Sequence, residues 1–379
     1  MDQKKKRFAF IDLYRGWALL LMIETHVFNA FLSPVLKNTQ WFQVLTFFNG
    51  LVAPSFLFIS GFAFTIASQR KLEEFRSYGN EFWRQMWRIF LIFVVGYSLR
   101  LPYLSLQKML HKATPDELLP FYSVDVLQCI AFGLLLMFIL RIFIKSDKIF
   151  NAILIALTLI LFIIAPVIWQ IDFTKYMYLP IANYFNPQYG SLFPLFPWLA
   201  FMLSGSVISY YYMLAKNAGS EEIFLNRMLL WGIIIFCVSS FVLWSHVSFV
   251  EAISKVNPGQ FFFTLRLSIV VILLILARIY EIKRNTERSF VLDVGRESLF
   301  VYWLHLQVLY RKLWNNTTVY SMINESFNAM QCILAAIVLI ALMVASAIIW
   351  GRIKKRYKKF SQILAVATVS IVIFIFLIR

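Results

Sequence analysis

The chain has 379 residues and a mass of 44.4 kDa, with 60% apolar and 15% charged residues and a mean hydropathy of +0.73. That composition excludes an ordinary soluble enzyme, in which about half the residues are apolar and a quarter charged. The net charge of +17 would suggest nucleic acid only if the bases gathered in a soluble domain, and no stretch is long and polar enough to be one.

Apolar runs separated by charged or Pro- and Asn-rich stretches fall at about 8–32, 41–68, 86–104, 121–144, 148–169, 191–214, 229–249, 259–281, 297–313, 326–350 and 360–378. Most approach the ~20 residues that a helix needs to cross a bilayer. The fold predicted is all-α, a polytopic membrane bundle of about eleven transmembrane helices, and one domain over residues 1–379. No repeat of fixed period divides it.

The first run follows Lys4, Lys5, Lys6 and Arg7, and no small-residue cleavage site comes after it. It reads as an uncleaved first helix with a cytoplasmic N-terminus. That orientation puts 25 of the 36 basic residues inside and nine outside, with Arg15 and Arg266 within runs. The inner clusters are Arg70 to Arg88, Arg141 to Lys148, Lys216 to Arg227, Arg278 to Arg296 and Arg352 to Lys359. Cys129, Cys237 and Cys332 lie in apolar runs without short spacing, so neither a disulfide framework nor a metal site is indicated.

Charges inside apolar runs cost at least about 2.5–3.5 kcal/mol each on insertion scales, which makes them the place to look for function. The first run holds Asp12, Arg15, Glu24 and His26. At 100° per residue, Arg15 and His26 share a face about 16 Å apart along the axis, with Asp12 and Asn29 continuing the stripe. Arg15 suits an anion entering from the cytoplasm, and His26 suits proton abstraction from a hydroxyl or amine. Equally, Arg15 can snorkel and pair with Asp12, and His26 can hydrogen-bond a neighbouring helix. Glu24 falls nearly opposite Arg15.

Further along, Ser60-Gly61 offers a close helix approach or open backbone groups, and Arg84 and Arg88 flank the third run either as phosphate ligands or as positive-inside residues. Asp125 and Gln128 either hold an acceptor hydroxyl or cap the fourth helix. Tyr176, Tyr178, Tyr184, Phe185 and Tyr189 form either a sugar platform or an interfacial belt. Pro194 and Pro197 should break the sixth run. Ser298, Tyr302 and His305 share one helical face, and His111 and His246 fall in outer loops.

Asp12-x-x-Arg15-Gly16, with ten residues between Arg15 and His26, resembles the first helix of the transmembrane acyltransferase superfamily. That group includes acyltransferase family 3 and the heparan-α-glucosaminide N-acetyltransferase family. Pro54-Ser-Phe-Leu-Phe-Ile-Ser60-Gly61-Phe62 is similar to its Ser-Gly-Phe helix. Arg84 and Arg88 resemble its paired arginines, with three intervening residues where family 3 usually has two. Asp125-Val-Leu-Gln128 and Phe193-Pro194-Leu-Phe-Pro197-Trp198 look like the heparan branch, whereas His26 stands where that branch has Asn. Gly295-Arg296-Glu297-Ser298-Leu-Phe-Val-Tyr302-Trp-Leu-His305 is similar to a late helix of the group.

The resemblance implies an integral membrane acyltransferase that moves an acetyl or other acyl group from cytoplasmic acyl-CoA to a hydroxyl or amine of a sugar or glycan on the far side. His26, Glu24 and His305 would be the catalytic residues, with His26 as base. Arg15, Ser60, Arg84 and Arg88 would bind the donor, and Asp12, Asp125 and Gln128 the acceptor. Acetyl-CoA is then a donor substrate and no resident cofactor or metal is expected. The partners are acyl-CoA, the glycan acceptor and membrane lipid; a homodimer is left open, and the membrane would be the inner one in a bacterium. The alternative is a secondary transporter or flippase for an anionic or lipid-linked substrate, against which stands the absence of an inverted repeat. No phosphate loop, nucleophile elbow or His-Glu-x-x-His site is present.

Overall fold

The structure is a computed structural model that describes residues 8–244, 259–284, 289–311 and 317–378. Lys4 to Arg7 and His246 lie outside the described residues. The longer helices in chain order are α1 (Ala9–Phe31), α2 (Gln40–Asn49), α3 (Val52–Arg76), α4 (Asn80–Ser98), α5 (Val126–Phe143), α6 (Asp147–Gln170) and α7 (Leu195–Asn217). After them come α8 (Glu221–Trp244), α9 (Gln260–Arg284), α10 (Phe290–Arg296), α11 (Ser298–Tyr310), α12 (Ala329–Arg356) and α13 (Lys358–Ile378). Extended pairing among the described residues is limited to an isolated bridge between Leu32 and Phe327.

Each of the eleven apolar runs therefore holds a helix, and the protein is an all-α polytopic membrane protein. Among the described residues seven stretches are long and apolar enough to cross a membrane by themselves: Gln40–Arg76, Val126–Phe143, Asp147–Gln170, Leu195–Asn217, Glu221–Trp244, Phe261–Lys283 and Ala329–Arg356. Helix α1 has the length but carries Asp12, Arg15 and Glu24. The ninth run, 297–313, holds the 13-residue α11, and a break at Glu297 separates α11 from α10, which precedes the run; at about 20 Å, α11 is shorter than a bilayer core.

The chain forms two compact units. One comprises Met1–Val52, Leu101–Ala113 and Ala277–Arg379, the other Ala53–Arg100 and Thr114–Leu276. In the first, α1 packs on α10, α11 and α12. The α1 N-terminus has no side-chain cap of its own; instead the Ala9 N–H donates to Glu281 Oε1 at 2.9 Å. Its far end stops at Ser33-Pro34, where Phe327 N–H donates to the Phe31 carbonyl at 2.9 Å and Ser33 N–H to the Phe327 carbonyl at 3.0 Å.

In the second unit, α7 packs on α6 and α5, and α4 on α5. Pro197 interrupts the start of α7 as expected, with Phe196 at non-helical φ −96° and ψ 118°, and the Phe196 carbonyl accepts from Trp169 Nε1 at 2.7 Å. Helix α8 buries only Leu225, Gly232 and Ser239 and exposes Leu230, Trp231, Ile233 and Phe241, a surface suited to lipid.

Each unit is pinned by two glycines that face each other's backbones. A methyl on Gly16 would overlap the Val291 carbonyl oxygen, and one on Gly295 the Asp12 carbonyl oxygen. In the second unit a methyl on Gly61 would overlap the Met202 carbonyl and one on Gly205 the Phe58 carbonyl. Such crossings rest on dispersion and weak Cα–H···O contacts that any side chain would prevent. Gly61→Val should therefore destabilise the protein by about 1–3 kcal/mol of overpacking strain, read as a lower thermal midpoint in detergent. Gly351, whose added methyl would meet open space, is the control, and Gly351→Ala should not lower the midpoint.

Candidate functional site

The first unit gathers Asp12, Arg15, Glu24, His26 and His305. Near its start, α1 buries Asp12 to 2% exposure, and Arg15 Nη1 stands 3.8 Å from Asp12 Oδ1. The pairing is thus present, at the long end of an ion pair. Arg278, which the sequence reading did not single out, lies at the same end of α1, with its guanidinium 5.6 Å from the Phe10 ring centre and paired to Glu281. The Gly16–Gly295 crossing occurs beside Arg15, so backbone contact fixes where Arg15 leaves the helix.

Eleven residues on, His26 meets a second imidazole. The rings of His26 and His305 are 5.3 Å apart at 48°. Tyr310 stands edge-on to His26 at 6.1 Å, and Tyr302 edge-on to His305 at 5.8 Å. His305 is fully buried. Its Nδ1 lies 2.9 Å from the Val301 carbonyl oxygen, and its Nε2 has no hydrogen-bond partner among the described residues. Helix 11 thus delivers His305 to α1, a juxtaposition that the linear sequence could not give because the two histidines are separated by most of the chain.

Glu24, on another face of α1, has both carboxylate oxygens shielded from solvent and without a well-formed hydrogen bond among the described residues. The Asn49 side chain, at the end of α2, lies beside it. Asn49 is 8% exposed, and its only sequence signal was a polar residue before Gly50. Among the described residues no three His, Cys, Asp or Glu side chains group as metal ligands.

The second unit holds Ser60, Arg84, Arg88, Asp125 and Gln128. Ser60 is half-buried, next to the Gly61 crossing. Arg84 and Arg88 lie on the exposed face of α4 with Trp83 and Trp87, and Arg84 pairs with Glu81. Glu81 is also held by Lys71, and that hydrogen bond keeps its carboxyl below the usual carboxylate range. Asp125 and Gln128 form a capping box at the start of α5. Asp125 Oδ1 accepts from Val126 N–H at 2.7 Å, and Gln128 Oε1 from Asp125 N–H at 3.3 Å. The remaining Asp125 oxygen takes Arg100 Nη2 at 3.0 Å, while Arg100 Nη1 donates to Ser123 Oγ at 2.6 Å. Capping, the simpler of the two readings of this pair, is what the geometry realises.

Two further arginines and the aromatic loop complete the inventory. Arg141 is 1% exposed, paired to Asp147 and bonded to the Ile144 carbonyl at 3.3 Å. It borders a small polar cavity with Thr65, Asn151, Ser206 and Tyr210. Arg266 lies against the Phe262 ring at 3.5 Å. In the loop, Tyr184 bonds Tyr97 through their hydroxyls at 2.8 Å and Phe185 stacks on Phe173, so only Tyr176 and Tyr178 are strongly exposed. Hydrogen bonds from Thr174 hold the Asp172 carboxyl low.

A polytopic helical bundle with an arginine, a buried carboxylate and a histidine ranged along α1, and a second histidine brought against the first from α11, is a membrane protein that gathers ionisable side chains inside a helical unit. Residues 7–238 match the family of the heparan-alpha-glucosaminide N-acetyltransferase catalytic domain. The chain belongs to that family, and it is a multi-pass membrane acetyltransferase. No curated protein matches it. The family match includes α1 and its His26 and ends before α11 and His305.

The capping geometry makes a prediction. Asp125→Asn keeps a good N-cap, whereas Asp125→Ala loses it, and the alanine variant should be the less stable by about 1 kcal/mol. Thermal unfolding in detergent measures the difference, and equal midpoints would mean that the cap contributes nothing.

Proposed function

We propose that the protein transfers an acetyl group from cytoplasmic acetyl-CoA to a hydroxyl or amine of a sugar or glycan on the far side of the membrane. The observation that carries the reading is His26, set on the same helix as Arg15 and facing the buried His305, in a chain of an acetyltransferase family. The family is named for N-acetylation of a heparan glucosaminide; for this chain the acceptor class is a sugar or glycan. If the host is bacterial, the membrane is the inner one.

In direct transfer, the acceptor heteroatom bonds to the acetyl carbonyl carbon while His26 removes its proton. The carbon–sulfur bond then breaks, and the coenzyme A thiolate takes the proton from His26. Arg15 receives donor phosphate, since a guanidinium matches phosphate geometry; Ser60, Arg84 and Arg88, in the second unit, keep the donor-binding role that the resemblance implies. Asp12 tunes Arg15 and belongs with the acceptor contacts. Glu24 assists as a buried carboxylate, and Asp125 and Gln128, in the second unit, keep the acceptor-binding role that the resemblance implies.

Calorimetric titration of acetyl-CoA into the detergent-purified protein tests this. Arg15→Ala should weaken binding by about 10-fold or more, the scale of a charged hydrogen bond. His26→Ala should bind acetyl-CoA as the wild type does, yet transfer at least about 100-fold more slowly, the contribution of a general base. Absence of acyl-CoA binding would discard the reading in favour of transport, and full activity of His26→Ala would remove His26 as base.

A further inference from the structure

We propose that His305 is a positioning residue for His26: its Nε2 accepts a hydrogen bond from the His26 ring and so selects the His26 tautomer whose other nitrogen faces the acceptor. This rests on His26 being the base. The argument begins at a backbone carbonyl, which can only accept. A contact of 2.9 Å between His305 Nδ1 and the Val301 carbonyl oxygen therefore puts the hydrogen on Nδ1, and in a neutral imidazole the lone pair then falls on Nε2.

That Nε2 is buried and has no partner among the described residues. An acceptor withdrawn from water calls for a donor. The nearest ring that can supply an N–H is His26, at 5.3 Å between ring centres, and catalytic hydrogen bonds commonly close up only when substrate is bound. The other groups around the pair have other engagements. Tyr302, on the same helix, meets His305 by its edge, and Tyr310 turns toward His26 and Tyr320. Glu24 lies beside Asn49, and both it and Lys37 lie near Cys332 of α12. Lys37 is held by the Asn29 carbonyl at 2.8 Å and by Glu325 at 3.0 Å.

Val301 carbonyl, His305 and His26 then form a chain in which each member fixes the hydrogen of the next, the logic by which an oriented base is held in the correct tautomer. Proton balance is unchanged. The acceptor proton goes to the free nitrogen of His26 as the new bond to the acetyl carbon forms, and returns to the thiolate; His305 neither gains nor loses a proton.

With only four histidines in the chain, nitrogen-15 histidine spectra of the full-length protein in lipid can resolve this pair. The wild type should give His305 protonated at Nδ1 and His26 in a single tautomer, and His305→Phe should spread His26 over both. With acetyl-CoA as donor and glucosamine as probe acceptor, His305→Phe should lower kcat by about 100-fold with KM nearly unchanged, and His305→Gln, whose amide oxygen can accept the same bond, should recover much of it. A wild-type spectrum with His305 protonated at Nε2, or a His26 tautomer unaffected by either substitution, would overturn the proposal, and the wild-type spectrum decides even if His305→Phe fails to fold. An inert His26→Ala beside a fully active His305→Phe would sink this inference alone, whereas an active His26→Ala would sink the base on which it rests.

Discussion

Contact between helix backbones, allowed by facing glycines, is the constraint on which both units depend. Inside a membrane, apolar side chains gain little by leaving lipid, so association relies on close packing. Gly16 with Gly295 and Gly61 with Gly205 supply it, each glycine seated against a carbonyl of the opposing helix. The consequence for chemistry is direct. Arg15 adjoins one crossing and Ser60 the other, so side chains proposed to meet the donor leave their helices beside a close backbone contact in each unit.

In the first unit, α1 carries a carboxylate and arginine at one end and Glu24 and His26 toward the other, with α10 and α11 laid against it. The break at Glu297 lets α10 make the glycine contact while α11 starts afresh and turns His305 toward His26. In the second unit the buried ionic groups sit near helix ends and are closed on each other: Arg100 on Asp125 and Ser123, Arg141 on Asp147. These contacts fasten loops to helices and keep charge out of the apolar interior.

The fold class was legible because hydropathy records the solvent: eleven apolar runs became helices at nearly the expected positions, and Pro197 interrupted α7 where proline must. The short helix α10 was less legible, since it lies ahead of the ninth run in a segment that reads as a charged connection, and whether such a segment forms a helix of its own depends on what packs beside it. In the site, the Arg15 to His26 stripe followed from helical periodicity alone. Asp125 with Gln128 carried a sequence pattern shared by capping and binding, and only Arg100, from a distant turn, marked the first. Arg84 and Arg88 read as positive-inside residues or as phosphate ligands, and their exposure beside Trp83 and Trp87 is a property of how α4 is rotated.

What the sequence by itself determined is what local physics decides: membrane residence, helix content, the face shared by Arg15 and His26, and the motifs of an acetyltransferase. What only the tertiary structure decided is which of those residues meet. His305 and His26 are separated by most of the chain, and Asn49 and Glu24 by a helix and a turn, so no period or spacing links them. Their meeting depends on helices crossing at particular glycines, and a crossing is a relation between two surfaces that neither segment encodes alone.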